Sequence, residues 1–261
     1  MQRALISGIC ISGICSAVGC FLVMRRFALF GDGIAHVAFG GVAVGFFVGI
    51  YPLWTAFIVS ALGSLGLQKM QNSKISGDIA IAIVLVTGLS VGVILTSMSG
   101  GFSIDLFSFL FGSIILVSTN DMITILIASA TVATIILLFY RKLLFITFSP
   151  DLARVSGIRV TLLNYMLAVV AAVTVVTAMR LTGILLITAL IVIPTLSAAK
   201  LNRGFKATIA ISIIISSTAV VSGIFVSYVT DWAPAGTVVI LLVSVFVIIH
   251  LVYMTLERLS R

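Results

Sequence analysis

The chain has 261 residues, of which 61% are hydrophobic and 8% are charged, with a formal net charge of +8. Soluble domains carry about 25% charged residues, so this composition excludes a soluble domain and indicates a polytopic membrane protein. The basic residues stand singly or in pairs between apolar runs, which suits membrane topology better than nucleic-acid binding. We predict an all-α fold, a single transmembrane domain over residues 1–261, and the lipid bilayer as its surroundings.

Membrane-spanning helices need about 20 mostly apolar residues each. Stretches of this kind predict nine spans, of which the second and third are short and joined tightly at Tyr51-Pro52. A further apolar stretch, about 102–117, is too short and too interrupted to span, and is predicted to form a re-entrant or surface helix. The nine predicted spans are 4–24, 33–50, 53–68, 78–97, 121–140, 160–179, 181–199, 207–229 and 234–252.

Nine spans divide the basic residues very unequally between the two sides of the membrane. One side receives only Arg3 and Arg180, and every other Lys and Arg lies on the opposite side. The positive-inside rule makes the basic side cytoplasmic, so the N-terminus is predicted outside and the C-terminus inside. This skew favours nine spans over eight.

Three cysteines, Cys10, Cys15 and Cys20, all fall in the first predicted span. Steps of five residues advance about 140° around a helix, so the three thiols do not share a face. We therefore expect small buried core residues, with neither a sulfur-ligand metal site nor a disulfide framework.

Asp32 and His36 are ionisable residues at the start of the second predicted span. Residues four apart share a helix face with their Cβ atoms about 5–6 Å apart, so this carboxylate and imidazole can bind one divalent metal ion. Such a pair is costly in a membrane unless it is paired, hydrated or functional. Two interpretations remain open: a metal site on a transport path, or an aspartate that caps the helix beside a histidine bonded within the protein.

A proline-containing stretch in the seventh predicted span suggests a second polar feature. Pro194 is expected to kink the helix and to free a backbone carbonyl. The hydroxyls of Thr188, Thr195 and Ser197 then either line a polar passage or bond back to their own helix, which is commoner.

Between the fifth and sixth predicted spans, the segment from Ser149 to Gly157 predicts a short cytoplasmic helix. Ser149 or Asp151 can cap it, Pro150 suits its first position, and Gly157 can end it. The segment is longer than a plain connection needs, so it indicates either a docking element for a cytoplasmic partner or an interfacial loop of no special role. The sequence contains no G-x-x-x-x-G-K-[ST] motif, so any ATPase that drives transport must be another chain.

Residues 21–43 contain Arg25-Arg26, a few apolar residues, the element Gly-Asp-Gly-Ile-Ala-His, and then a run of small residues. This stretch closely resembles the permeases of zinc/manganese ABC importers, whose pattern reads G-D-x-[IL]-[SA]-H. Segments 109–114, 151–157 and 181–194 also look like that family. The resemblance covers essentially the whole chain, in order.

This resemblance implies a permease subunit of a prokaryotic cell membrane, with a fold similar to that of the vitamin B12-type importers. It implies a homodimer, a cytoplasmic ABC ATPase docked on each copy, and an extracytoplasmic metal-binding protein that supplies the ion. Asp32 and His36 match the family's metal-contacting positions, and the divalent metal is cargo rather than a permanently bound cofactor. The coupling loop is matched by Ser149, Pro150, Asp151, Leu152, Ala153, Arg154, Val155 and Gly157.

The choice of metal rests on two departures from the family pattern and on ligand chemistry. Ala35 stands where many members have serine. Gly40-Gly41 stands where manganese members commonly have leucine-proline, and this second departure favours zinc. Neutral imidazole with carboxylate suits zinc, and also manganese or iron. Two ligands per copy give four in a symmetric pair, and binding should weaken as pH falls because His36 must be deprotonated to ligate.

Two other classes of transporter remain open. A secondary transporter would use Asp32 and His36 as a proton relay and would need no cytoplasmic partner. An ABC importer of a larger chelate or vitamin would not need close metal ligands. Co-purification of an ATPase would distinguish an ABC importer from a secondary transporter. Competition by metal ions in a transport assay would distinguish a metal importer from an importer of a chelate or vitamin.

Overall fold

The computed structural model describes residues 2–73, 75–99, 104–112 and 118–259. These residues form eleven α-helices and one 3-10 turn, Ile184–Leu186, between the eighth and ninth helices, which confirms the all-α fold class. The helices are α1 (Gln2–Met24), α2 (Phe30–Val48), α3 (Pro52–Gln71), α4 (Gly77–Met98), α5 (Ile104–Phe111), α6 (Thr119–Phe148), α7 (Pro150–Val155), α8 (Val160–Thr182), α9 (Ile187–Ala199), α10 (Phe205–Thr230) and α11 (Pro234–Leu259).

Among the described residues, seven helices are long and apolar enough to cross a membrane: α1, α2, α4, α6, α8, α10 and α11. Helix α3, with 20 residues, occupies the third predicted span. The prediction of one continuous span over 181–199 is wrong, because α8 runs on to Thr182 and α9 has only 13 residues. At about 20 Å, α9 is shorter than the hydrocarbon core of a bilayer.

A glycine causes this break. Gly183 has φ +72°, and a Cβ there would lie 2.4 Å from the carbonyl oxygen of Leu110, at the end of α5. Glycine adopts this backbone conformation readily, and only a residue without a Cβ leaves room for the backbone at the end of α5. The end of α5 therefore packs directly onto the point where α8 stops.

Contacts at one end of the bundle join the helix ends that topology predicts to be cytoplasmic. Arg25 Nη2 donates to Asn164 Oδ1 at 2.8 Å, which ties the end of α1 to the start of α8. The rings of Phe21, Tyr140 and Phe205 pack against one another there, with centroids 5.1–6.3 Å apart. We call this end, where α1 and α6 finish and α8 and α10 begin, the basic end.

A buried carboxylate organises the opposite end. Asp121 is 2% exposed, and its Oδ1 accepts a hydrogen bond from the Tyr51 hydroxyl at 2.7 Å and lies 3.4 Å from Arg180 Nη2. Its Oδ2 closes a capping box with Ser118 at the start of α6, and the Arg180 guanidinium lies 4.6 Å from the centre of the Phe109 ring. The α2–α3 turn, α5, α6 and α8 are therefore fastened together at the end predicted to face outward.

Replacing Asp121 with alanine should destabilise the protein by about 3 kcal/mol, because it leaves Arg180 largely buried without its anion. The measurement is the thermal unfolding midpoint of the purified protein in detergent. Asp151→Ala is the matched control, since Asp151 forms an exposed pair with Arg154 at 3.6 Å, and exposed pairs contribute little. Equal midpoints for the two variants would show that the Asp121 cluster does not stabilise the bundle.

The sidedness of the two ends is open to direct test. Arg203, in the turn between α9 and α10, and Asp231, between α10 and α11, are both exposed and lie at opposite ends of α10. After the native cysteines are replaced, a cysteine at Asp231 should react with an impermeant thiol reagent in intact cells, and one at Arg203 should not. Labelling at Arg203 from outside would contradict the predicted orientation.

Candidate metal site

A tight turn at the basic end positions Asp32 in the first turn of α2. The backbone N–H of Phe27 donates to the carbonyl of Leu22 at 2.9 Å, and Arg26 adopts φ +64°. Leu29 occupies the N-cap position of α2, which has no side-chain capping bond. Asp32 is therefore not the helix cap, which removes the capping half of the alternative interpretation. Its other half, a histidine bonded within the protein, agrees with the contact of His36 described next.

The Asp32 carbonyl fixes the tautomer of His36. His36 Nδ1 lies 2.9 Å from that backbone oxygen and 3.7 Å from Asp32 Oδ1. A carbonyl oxygen can only accept, so Nδ1 carries the proton in this contact, and in the neutral imidazole the lone pair is then on Nε2. The two side chains are 15% exposed for His36 and 31% for Asp32, so water can reach both.

Of the residues predicted to line the pathway, Thr188 is the one that reaches this pair in the described part of the chain. Its hydroxyl donates to Asp32 Oδ1 at 3.4 Å, from the first turn of α9. Thr195 and Ser197 instead bond back to the carbonyls of Ile191 and Ile193 in their own helix. Pro194 lies buried within α9.

The neighbours of α2 show how deep the pair lies. Phe27, before α2, packs against Gly77 at the start of α4, whereas the backbone of Val37 lies 2.8 Å from the Cβ position of Gly88. Gly88 is the middle residue of α4, which is about 33 Å long. Asp32 therefore lies just inside the basic end. His36 lies about one helical turn deeper, close to the level of the midpoint of α4.

The number of ligands in one chain is small. Among the described residues, no group of three or more His, Cys, Asp or Glu side chains could hold a metal ion. The three cysteines are free, and Cys15 and Cys20 are fully buried in α1. A structural zinc site has four protein ligands, and Asp32 and His36 supply two ligand side chains within the described part of the chain.

The Gly40-Gly41 pair has a packing role. A Cβ at Gly40 would lie 2.9 Å from the carbonyl oxygen of Gly88 in α4, and one at Gly41 would lie 2.8 Å from the Cα of Ala56 in α3. Both glycines are thus required by close helix contacts, which supply the association energy in lipid. Helix packing thus accounts for both glycines, and the preference for zinc stays a prediction.

The predicted helix between the fifth and sixth spans is present as α7. Pro150 is its first residue, as expected, whereas Ser149 occupies the N-cap position without a side-chain capping bond. At the other end the N–H of Gly157, with φ +78°, donates to the Arg154 carbonyl at 3.1 Å, and that of Ile158 donates to Ala153 at 3.0 Å. This pair of bonds is a Schellman motif, as the glycine predicts.

One face of α7 packs against the rest of the protein, and the other face is exposed. Ala153 is fully buried, whereas Leu152 is 61% exposed and Val155 is 86% exposed. Two apolar side chains thus project from a short anchored helix at the basic end.

Comparison with known proteins places the chain in a family. The model of the ABC 3 transport family matches residues 1–253, so the chain belongs to that family. It is 35% identical over 250 residues to the manganese import system permease protein ScaB of Streptococcus parasanguinis, covering 95% of this chain and 89% of that one. It is 31% identical over 246 residues to the high-affinity zinc uptake system membrane protein ZnuB of Haemophilus influenzae, covering 94% of each.

A solved structure supports the same assignment. The chain matches PsaBC from Streptococcus pneumoniae in complex with Fab with a TM-score of 0.86 and 33% identity, covering 95% of this chain and 90% of that chain. These findings confirm the family resemblance, the permease fold and the multi-pass character of a prokaryotic membrane transport subunit.

Proposed function

We propose that this chain is the permease through which an ABC importer carries a divalent transition-metal ion into the cell. The observation that carries the proposal is the Asp32–His36 pair, in which the Asp32 carbonyl holds Nδ1 and leaves Nε2 free to ligate. Carboxylate and neutral imidazole are ligands that zinc, manganese and iron accept. Family membership supports a transport role for this pair, and the names of the relatives include both manganese and zinc systems.

Two copies of the permease complete the site in this proposal. Each copy offers two ligands, and a symmetric pair offers four, with water filling any open position. A site of this kind binds weakly enough to release its ion, and the ion remains cargo rather than a resident cofactor.

Partner proteins supply energy and substrate. A cytoplasmic ABC ATPase docks on α7, where Leu152 and Val155 are exposed, and an extracytoplasmic metal-binding protein delivers the ion at the opposite end. The permease itself is not an enzyme, and ATP hydrolysis takes place in the ATPase chain.

The test is uptake of radioactive zinc by right-side-out membrane vesicles that contain the native system, loaded with ATP. Excess zinc or manganese should compete, excess magnesium should not, and removal of ATP should stop uptake. Uptake that persists without ATP but stops when the proton gradient is collapsed would indicate a secondary transporter. Competition by a metal chelate but not by the free ions would indicate a chelate importer.

A further inference from the structure

A long apolar groove runs down the outside of the bundle between α1, α6 and α10. Its volume is about 720 Å³, and its lining is almost entirely apolar. Along α6 it extends from Leu126 to Tyr140, a distance of about 21 Å. Gly13 forms part of its floor, and a Cβ at Gly13 would meet no atom within 4 Å, so the groove is open at that point.

The groove ends among cations. Lys206 lines it at the basic end, and the exposed residues Arg141 and Lys142 directly follow Tyr140. An apolar channel of this length, with Lys206 at its mouth and further exposed cations close by on α6, has the chemistry of one anionic phospholipid: the phosphate meets the cations and an acyl chain lies in the channel.

Charge argues against a second copy of this chain as the occupant. A two-fold axis along the membrane normal would bring the same groove of each copy face to face at the same depth. Lys206, Arg141 and Lys142 of the two copies would then meet at one end of the interface, and like charges at short range repel. An anionic headgroup neutralises the same cations.

We propose that this groove is a binding site for one anionic phospholipid of the leaflet at the basic end. The acyl chain packs over Gly13 and Ala17 and along α6. The phosphate is held by Lys206, and the exposed Arg141, next to Tyr140 in the chain, adds a second positive charge at this end. The site is separate from the Asp32–His36 pair and does not depend on the metal-transport proposal.

Native mass spectrometry of the purified protein in detergent, with equal amounts of phosphatidylglycerol and phosphatidylcholine added, tests this site. The natural sequence should retain phosphatidylglycerol at least about tenfold better than phosphatidylcholine, since several cations each contribute to binding an anionic lipid. Gly13→Leu should fill the groove and abolish that retention. Gly66→Leu is the matched control, because a Cβ at Gly66, on α3, also meets no atom within 4 Å.

Lys206→Gln provides a second variant that leaves the groove open and the fold untouched. It should lower the preference for phosphatidylglycerol about fivefold, the contribution of one lysine near an anionic surface. Lys69→Gln, another exposed lysine near the end of α3, should have no effect. Full retention in Gly13→Leu, or equal retention of the two lipids by the natural sequence, would overturn the proposal. So would dissociation of a permease pair by Gly13→Leu with lipid retention unchanged, because a second copy would then occupy the groove.

Discussion

Replacing either Asp32 or His36 with alanine is expected to lower metal uptake by at least about 100-fold, with normal amounts of protein in the membrane. Loss of a residue that merely supports a metal ligand costs about 10–100-fold, so loss of a ligand itself should cost more. Each side chain is partly exposed and neither belongs to the buried face of α2, so its removal should leave the packing of α2 intact. The measurement is initial uptake of radioactive zinc or manganese, normalised to surface expression.

Two matched controls remove the same chemical groups elsewhere. Asp78→Ala removes an exposed carboxylate from the first turn of α4, and His250→Ala removes the other histidine, which contacts Lys200 directly after α9. Both should retain uptake close to that of the natural sequence. Full uptake by a well-expressed Asp32→Ala or His36→Ala variant would show that the pair does not contact the transported ion.

Converting Leu152 and Val155 to aspartate should separate the permease from its ATPase. Truncating a central anchor of an interface commonly costs about 2 kcal/mol or more, and two buried charges should cost at least as much. The fold should survive, because both side chains are exposed in the single chain and Ala153 continues to anchor α7. We expect loss of ATPase co-purification and of metal-stimulated ATP hydrolysis, at unchanged membrane abundance.

Leu201→Asp is the control for that experiment. Leu201 is also an exposed apolar residue at the basic end, in the turn after α9, and its change should leave the ATPase bound. If the double variant at α7 keeps its partner and Leu201→Asp loses it, the docking surface lies in the turn between α9 and α10. In that case α7 is only a connection.

Hydropathy and charge were sufficient to predict most of the helices, because each span is set by its own residues. The failure at 181–199 has a non-local cause. Leu181 and Thr182 fit either the end of α8 or the start of a following helix, so hydropathy does not show where α8 stops. The contact between Gly183 and the end of α5 does show it. That contact joins residues about 70 positions apart in the chain, and its one local mark is Gly183, a helix-ending residue that hydropathy does not register.

The candidate site was likewise only partly predictable from the sequence. The four-residue spacing of Asp32 and His36 was visible in the sequence and placed both on one face. The approach of Thr188 to Asp32 was not, since α9 meets α2 only in the folded chain. The cluster of Tyr51, Asp121 and Arg180 is likewise assembled from three distant segments. Topology predicted only that all three lie at the same end of the bundle.

The central claim is that Asp32 and His36 hold the ion, and X-ray absorption spectroscopy of the zinc-loaded protein tests it most directly. We predict a first shell of nitrogen and oxygen at about 2.0–2.2 Å, with the outer-shell scattering of an imidazole ring. That outer-shell signal should disappear in His36→Ala and persist in His250→Ala. A sulfur shell at about 2.3 Å, or a spectrum that His36→Ala leaves unchanged, would contradict the claim.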